Sequence, residues 1–177
     1  MRGKNIILGV TGGIAAYKAA DLCSKLTAKE AHVHVIMTDH AVEFIQPLTF
    51  QALSHNPVRT KLFHSDTAYP HLDTSAQADL MIIAPATANC IAKAAHGLAD
   101  DILSTVLLSC TCPVMMCPAM NVRMWRNRIV QKNIQQLQEL KYEIVGPERG
   151  RLACGDDGIG RMASVDAILA KAGELLA

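Results

Sequence analysis

The sequence predicts an α/β fold: a three-layer, doubly wound parallel sheet of the Rossmann-like (flavodoxin-like) kind, folded as a single domain over residues 1–177. Three observations carry this prediction. Short, continuously apolar runs such as Ile6-Ile7-Leu8 and Leu80–Ala84 alternate with segments of helical periodicity, and strands apolar on both faces belong to a parallel sheet covered by helices on both sides. The first run passes through Gly9, Gly12 and Gly13 into a helical pattern, the strand–turn–helix order of a right-handed crossover. Half the residues are apolar and 19% are charged, which suffices for a large core.

Asn5–Val10 is the expected first strand. Arg2 and Lys4 ahead of the apolar stretch Ile6–Ala16 mimic a secretory signal, but the interrupting glycines fit a buried strand entering a turn. Ile14–Ala28 is expected to be helical because Ala15, Ala19, Leu22 and Leu26 share one face. Ala31–Met37 is a second strand, Pro47–Leu53 a short helix and Leu80–Ala84 a third strand. Ala88–His96 is a helix stopped by Gly97, and Asp101–Cys110 another, with Asp100 and Asp101 at its positive end. Val114–Cys117 (strand), Arg128–Leu140 (amphipathic helix), Tyr142–Val145 (strand) and Val165–Leu176 (helix) complete the alternation. The apolar stretch Ile102–Met120 contains Ser104, Thr105, Ser109, Thr111 and two prolines, so it reads as helix, turn and strand rather than a membrane span. Thr60–Thr74 and Gly146–Met162 fit no element. Loops of that length in a compact domain are usually functional.

Seventeen Lys and Arg against sixteen Asp and Glu leave a net charge of +1, so the chain lacks the electrostatic footprint of a nucleic-acid or membrane binder. Aromatic residues, at 4%, are too few for a base-stacking platform. The six cysteines, Cys23, Cys90, Cys110, Cys112, Cys117 and Cys154, match no common zinc spacing and sit mostly in apolar runs. No metal is expected, and the setting reads as reducing and cytoplasmic.

Four motifs could carry chemistry. Gly9-Val-Thr-Gly12-Gly13-Ile14 would bring backbone N–H groups close to a phosphate at a helix start. It is neither G-x-G-x-x-G nor a Walker A loop, and a ligand-free tight turn is the alternative. Pro85-Ala-Thr-Ala-Asn89 lies at the carboxyl end of a strand, where ligands bind such sheets. Thr87 and Asn89 could equally be ordinary helix caps. In Pro118-Ala-Met-Asn121-Val-Arg-Met124-Trp125, Asn121 could bind a carboxylate or amide, with the methionines and Trp125 walling a planar ring; core packing and a cap explain the same letters. Gly150-Arg-Leu-Ala-Cys154-Gly-Asp-Asp-Gly-Ile-Gly160-Arg-Met162 reads as a mobile lid around a thiol, or as a surface loop with an incidental cysteine. His71, in a polar segment before the third strand, is a candidate general base beside His40 and His64.

The Gly–Gly–Ile turn, P-A-T-A-N, P-A-M-N-x-x-M-W and R-L-A-C-G-D-x-G-x-G-R-M, in that order, resemble the flavin-dependent cysteine decarboxylase family. The resemblance spans about Lys4 to Ala163 and is strongest to the phosphopantothenoylcysteine-directed branch. It implies an FMN cofactor contacted by Gly12, Gly13, Ile14 and Thr38, by Thr87, Ala88, Asn89 and Cys90, and by Ala119. The family often has Ser-Ala-Asn-Thr where this chain has Thr87-Ala88-Asn89-Cys90, which removes a hydroxyl at residue 90. It further implies catalytic residues His71 and Cys154, and substrate contacts from Asn121, Met124, Arg151, Leu152 and Ala153, the last three within a substrate clamp at about 146–163. The implied reaction turns 4′-phospho-N-pantothenoylcysteine into 4′-phosphopantetheine for coenzyme A biosynthesis: thiol oxidation to a thioaldehyde, loss of CO2, then re-reduction of the ene-thiol. The implied assembly is a homotrimer or a dodecamer of four trimers. A peptidyl-cysteine (lantibiotic-type) decarboxylase would stop at the ene-thiol and generally lacks the cysteine clamp. A flavin-binding regulatory subunit usually carries long charged extensions.

Overall fold

The computed structural model describes residues 1–62, 76–153 and 155–177. Five parallel strands form the central sheet: β1 (Asn5–Val10), β2 (His32–Met37), β3 (Leu80–Ala86), β4 (Val114–Pro118) and β5 (Glu143–Ile144). Their order is β2-β1-β3-β4-β5. The helices among the described residues are α1 (Ala16–Ala28), α2 (Asp39–Val42), α3 (Pro47–Ser54), α4 (Ala88–His96), α5 (Ile102–Ser109), α6 (Val122–Trp125), α7 (Arg128–Glu139) and α8 (Val165–Leu175).

The two-residue period of the strands divides the apolar residues between two cores. Ile6, Leu8, Val33, Val35, Leu80 and Ile82 face one side, where they meet Leu22 and Leu26 of α1, Phe50 of α3 and Ile168 of α8. Ile7, Ile36, Met81, Ile83 and Met116 face the other, against Ile91 of α4, Leu103 and Val106 of α5, and Ile134 and Leu137 of α7. Each fully buried Leu or Ile contributes about 1.5–3 kcal/mol, so both faces are needed to hold the sheet. Because β2 and β3 flank β1, α1 and α4 start on opposite sides of the sheet. That reversal opens a crevice above the carboxyl ends of β1 and β3.

Most element boundaries lie within a residue or two of expectation, and the departures have local causes. The first helix starts at Ala16 rather than Ile14, because the turn extends to the hydrogen bond from Ala16 N–H to Gly13 O, 2.9 Å. Asp101 is not a helical residue but the N-cap of α5, in a reciprocal capping box with Ser104. The larger correction concerns Gly146–Met162. It is not an irregular loop but contains an antiparallel hairpin, β6 (Glu148–Arg151) and β7 (Asp157–Arg161). No described helix is long and apolar enough to cross a membrane.

Candidate functional site

Three strand ends build the site. After β1, Thr11-Gly12-Gly13 turns the chain into α1, whose N-cap, Ala15, makes no side-chain capping bond. The α1 amino end therefore directs backbone N–H groups and the positive end of its dipole at the crevice. After β3, Thr87 caps α4 by accepting from Cys90 N–H at 3.4 Å. After β4, Ala119 N–H donates to Ala86 O at 3.1 Å and Met120 N–H to Gly160 O at 3.0 Å, so the third turn is tied both to β3 and to the hairpin. Thr11, 1% exposed, is the strut between the first two turns. Its hydroxyl donates to Pro85 O at 2.7 Å and accepts from Thr87 N–H at 3.1 Å.

These turns and the hairpin enclose a cavity of about 770 Å³. Of the sequence-predicted residues, Gly12, Gly13, Ile14, Thr87, Ala88 and Ala119 line it from the sheet side. Asn121 and Met124 line it from the α6 turn, and Arg151, Leu152 and Ala153 from the hairpin. Thr38, Asn89 and Cys90 are not among the lining residues. Thr38 caps α2 by accepting from Ala41 N–H, and Cys90 is buried in the α4–α5 core, where burial pushes its thiol up to about 12. His71, Cys154 and the alternative base His64 lie outside the described residues. His40, the other alternative, packs its backbone against Gly12 and is not among the lining residues either.

The two glycines of the first turn serve different ends. A Cβ on Gly12 would collide with His40 Cβ and come within 2.8 Å of its backbone, so packing already requires this glycine. A Cβ on Gly13 would meet only Thr87 Cγ2, at 3.7 Å, and would project between the first two turns. Gly158 and Gly160 let β7 press onto the third turn, since their Cβ atoms would strike the Val122 side chain and the Met120 carbonyl. Gly158 and Gly160 thus serve close packing, whereas a Cβ on Gly155, at φ +93°, would meet nothing within 4 Å.

Side chains that sequence reasoning missed supply the charge. Lys18 and Arg161 join Arg151 in the cavity wall, and no described lining residue is acidic. Lys18 Nζ donates to Met162 O at 3.1 Å; burial, and then the neighbouring Arg161 charge, lower its pKa. The available signal was position: Lys18 stands one helical turn beyond Ile14. Asn121 is oriented from two sides. Its Oδ1 accepts from Arg123 N–H at 2.8 Å, and its Nδ2 donates to Asp156 Oδ2 at 3.2 Å. No group of three or more His, Cys, Asp or Glu among the described residues could hold a metal ion. A shallower depression between α1 and α8 contains Lys25, Lys29 and Asp166. It lies away from the strand ends, and its Lys25 is already bridged to Asp21 and Asp166.

Comparison with known proteins agrees with this fold. A Bacillus subtilis protein named coenzyme A biosynthesis bifunctional protein CoaBC is 47% identical over 171 residues, covering 96% of this chain and 42% of that protein. The chain therefore spans about two fifths of the length of such bifunctional relatives. A Streptococcus mutans protein named probable phosphopantothenoylcysteine decarboxylase is 45% identical over 177 residues, covering 98% of this chain and 99% of its own. Among solved structures, a PPC decarboxylase mutant complexed with pantothenoylaminoethenethiol superposes with a TM-score of 0.87 at 28% identity, covering 98% of both chains. The FMN-dependent cysteine decarboxylase SpaF superposes with a TM-score of 0.84 at 31% identity, again covering 98% of both. The family model described as Flavoprotein matches residues 1–176, and the chain belongs to that family.

Proposed function

We propose that this chain holds FMN and decarboxylates 4′-phospho-N-pantothenoylcysteine to 4′-phosphopantetheine, a step of coenzyme A biosynthesis. One observation carries the reading: a single cavity joins an uncapped helix amino end, a cationic wall and an oriented Asn121 beneath the hairpin. The near-complete coverage of the Streptococcus mutans relative supports it. The residues fit the cofactor. The N–H groups of Gly12 to Ala15, with Lys18 nearby, suit a dianionic phosphate, and Ile14, Met120 and Met124 offer apolar surface to a planar ring. When bound, FMN would supply a reversible two-electron acceptor beside the thiol-bearing carbon.

The chain's own residues bind, orient and move protons. Arg123 N–H engages Oδ1 of Asn121, so the amide presents Nδ2, which donates to Asp156 in the structure, as the donor that would turn to the substrate carboxylate before it departs. His71 takes the thiol proton. Arg151, Leu152 and Ala153 close over the substrate, and Cys154 returns a proton to the ene-thiol carbon. Residues 1–177 form one FMN-binding decarboxylase domain in this reading, working in the cytoplasm as a homotrimer or a dodecamer of trimers. Support for assembly comes from Ile14 and Tyr17, apolar, exposed and at the cavity rim, where a second copy would shield them.

The purified protein should be yellow, release FMN on denaturation, and convert the pantothenoyl substrate while leaving a peptide ending in Cys unchanged. Cys154→Ser should still release CO2 but accumulate oxidised product. Colourless protein that cannot be reconstituted, or unchanged 4′-phosphopantetheine formation by that variant, would overturn the assignment.

A further inference from the structure

Cys110 and Cys112 flank Thr111 in the connection from α5 to β4. This is the amino end of β4, the opposite end of the strand from the cavity. Both side chains are half-buried, and their Sγ atoms lie 3.1 Å apart in hydrogen-bond contact. Two thiolates on one tetrahedral zinc, each about 2.3 Å from the metal, would stand roughly 3.7 Å apart. The observed pair is closer, and no described group of three metal-ligating side chains includes it. Cysteines two apart also fall in the Cα range that a disulfide spans. We propose that Cys110 and Cys112 form an exchangeable dithiol, which small-molecule disulfides of the glutathione type oxidise to an intraloop disulfide.

The step balances. The Cys110 thiolate attacks one sulfur of the small disulfide, forming a mixed disulfide and expelling one thiolate. The Cys112 thiol loses its proton and attacks Cys110 Sγ, forming the Cys110–Cys112 bond and releasing the second small thiol. The two protein thiols lose two hydrogens in total, and one small disulfide becomes two thiols. The order follows from the local chemistry: a hydrogen bond from the Cys112 thiol, outweighing burial, brings Cys110 down to about 7, and the same contact pushes Cys112 up. Cys110 is therefore the more readily ionised of the two, as the attacking thiol must be. The other described cysteines are poorly suited. Cys23, Cys90 and Cys117 are buried, and burial raises all three thiols.

The test uses the whole folded protein. It is incubated in buffers of rising oxidised-to-reduced glutathione ratio, quenched with acid, alkylated under denaturing conditions, and digested with trypsin. The fragment 94–123 contains Cys110, Cys112 and Cys117 and is sequenced by mass spectrometry. Under excess oxidised glutathione most molecules should carry a Cys110–Cys112 link, two hydrogens lighter, with Cys117 alkylated and the link reversed by dithiothreitol. Cys112→Ser should instead accumulate a glutathione adduct on Cys110. Alkylation of both residues at every ratio, stable glutathione adducts without ring closure in the wild type, or a link from Cys110 to any other cysteine would each overturn the proposal. The wild-type result decides the matter even if the variant fails to fold.

Discussion

Thr11→Val replaces one buried side chain with another of nearly the same shape and removes only the hydroxyl that spans two turns of the cavity. Thr11 is 1% exposed, so water cannot take over its partners. Pro85 O loses a 2.7 Å donor, and Thr87 N–H loses a 3.1 Å acceptor. A buried polar group left unpaired costs about 1–3 kcal/mol. Two such groups, partly relieved by local shifts, give an expected loss of about 2–4 kcal/mol. For a chain of this size each kcal/mol moves the unfolding temperature by roughly 2–4 °C, so a drop of roughly 4–16 °C is expected. Thr11→Ser keeps the hydroxyl and should recover most of it. The measurement is calorimetric unfolding of both variants, with FMN affinity followed by fluorescence. Affinity should fall in Thr11→Val, because Thr87 and Ala88 line the cavity. Equal destabilisation by Val and Ser, or a Val variant within about 1 °C of wild type, would refute the strut.

Gly12→Ala places a methyl group on the His40 backbone and should cost about 1–3 kcal/mol of stability. Gly13→Ala meets only a side-chain methyl at 3.7 Å, so it should unfold near the wild-type temperature yet bind FMN more weakly; calorimetry paired with flavin titration checks the contrast. Gly160→Ala drives a methyl into the Met120 carbonyl and should lift the hairpin, seen as faster hydrogen exchange at the Met120 amide that now bonds Gly160 O. Burial opposes ionisation of Asp101, but the Lys93 ammonium and the Ser104 hydrogen bonds outweigh it and hold its pKa below the ordinary value. Its contribution is therefore present above about pH 4 and is lost as pH falls through the depressed folded-state value. Urea midpoints between pH 7 and pH 3 should fall less steeply in Asp101→Asn than in wild type.

The order of strands and helices was legible in the sequence because it depends on local periodicity: Ile6-Ile7-Leu8 and Leu80–Ala84 are apolar on both faces wherever they are placed. Gly146–Met162 was misread because glycine spacing carries two meanings. Only the approach of β7 to Met120 and Val122 shows that Gly158 and Gly160 are there for contact rather than motion. Gly12 and Gly13 are adjacent letters with different partners, one facing His40 and the other Thr87. The cavity's charge was likewise hidden. Lys18 and Arg161 are 143 positions apart, and a net charge of +1 says nothing of where cations gather.

By itself, then, the chain's sequence determined its layers, its strand–turn–helix units and the motifs that mark the strand ends, since each depends on residues within a few positions of one another. The tertiary structure alone decided which of those motifs share one cavity, that Thr11 braces two of the turns, and that Lys18, Arg151 and Arg161 line the same cavity. Those are contacts between residues far apart in the chain, and they exist only once both faces of the sheet have been buried.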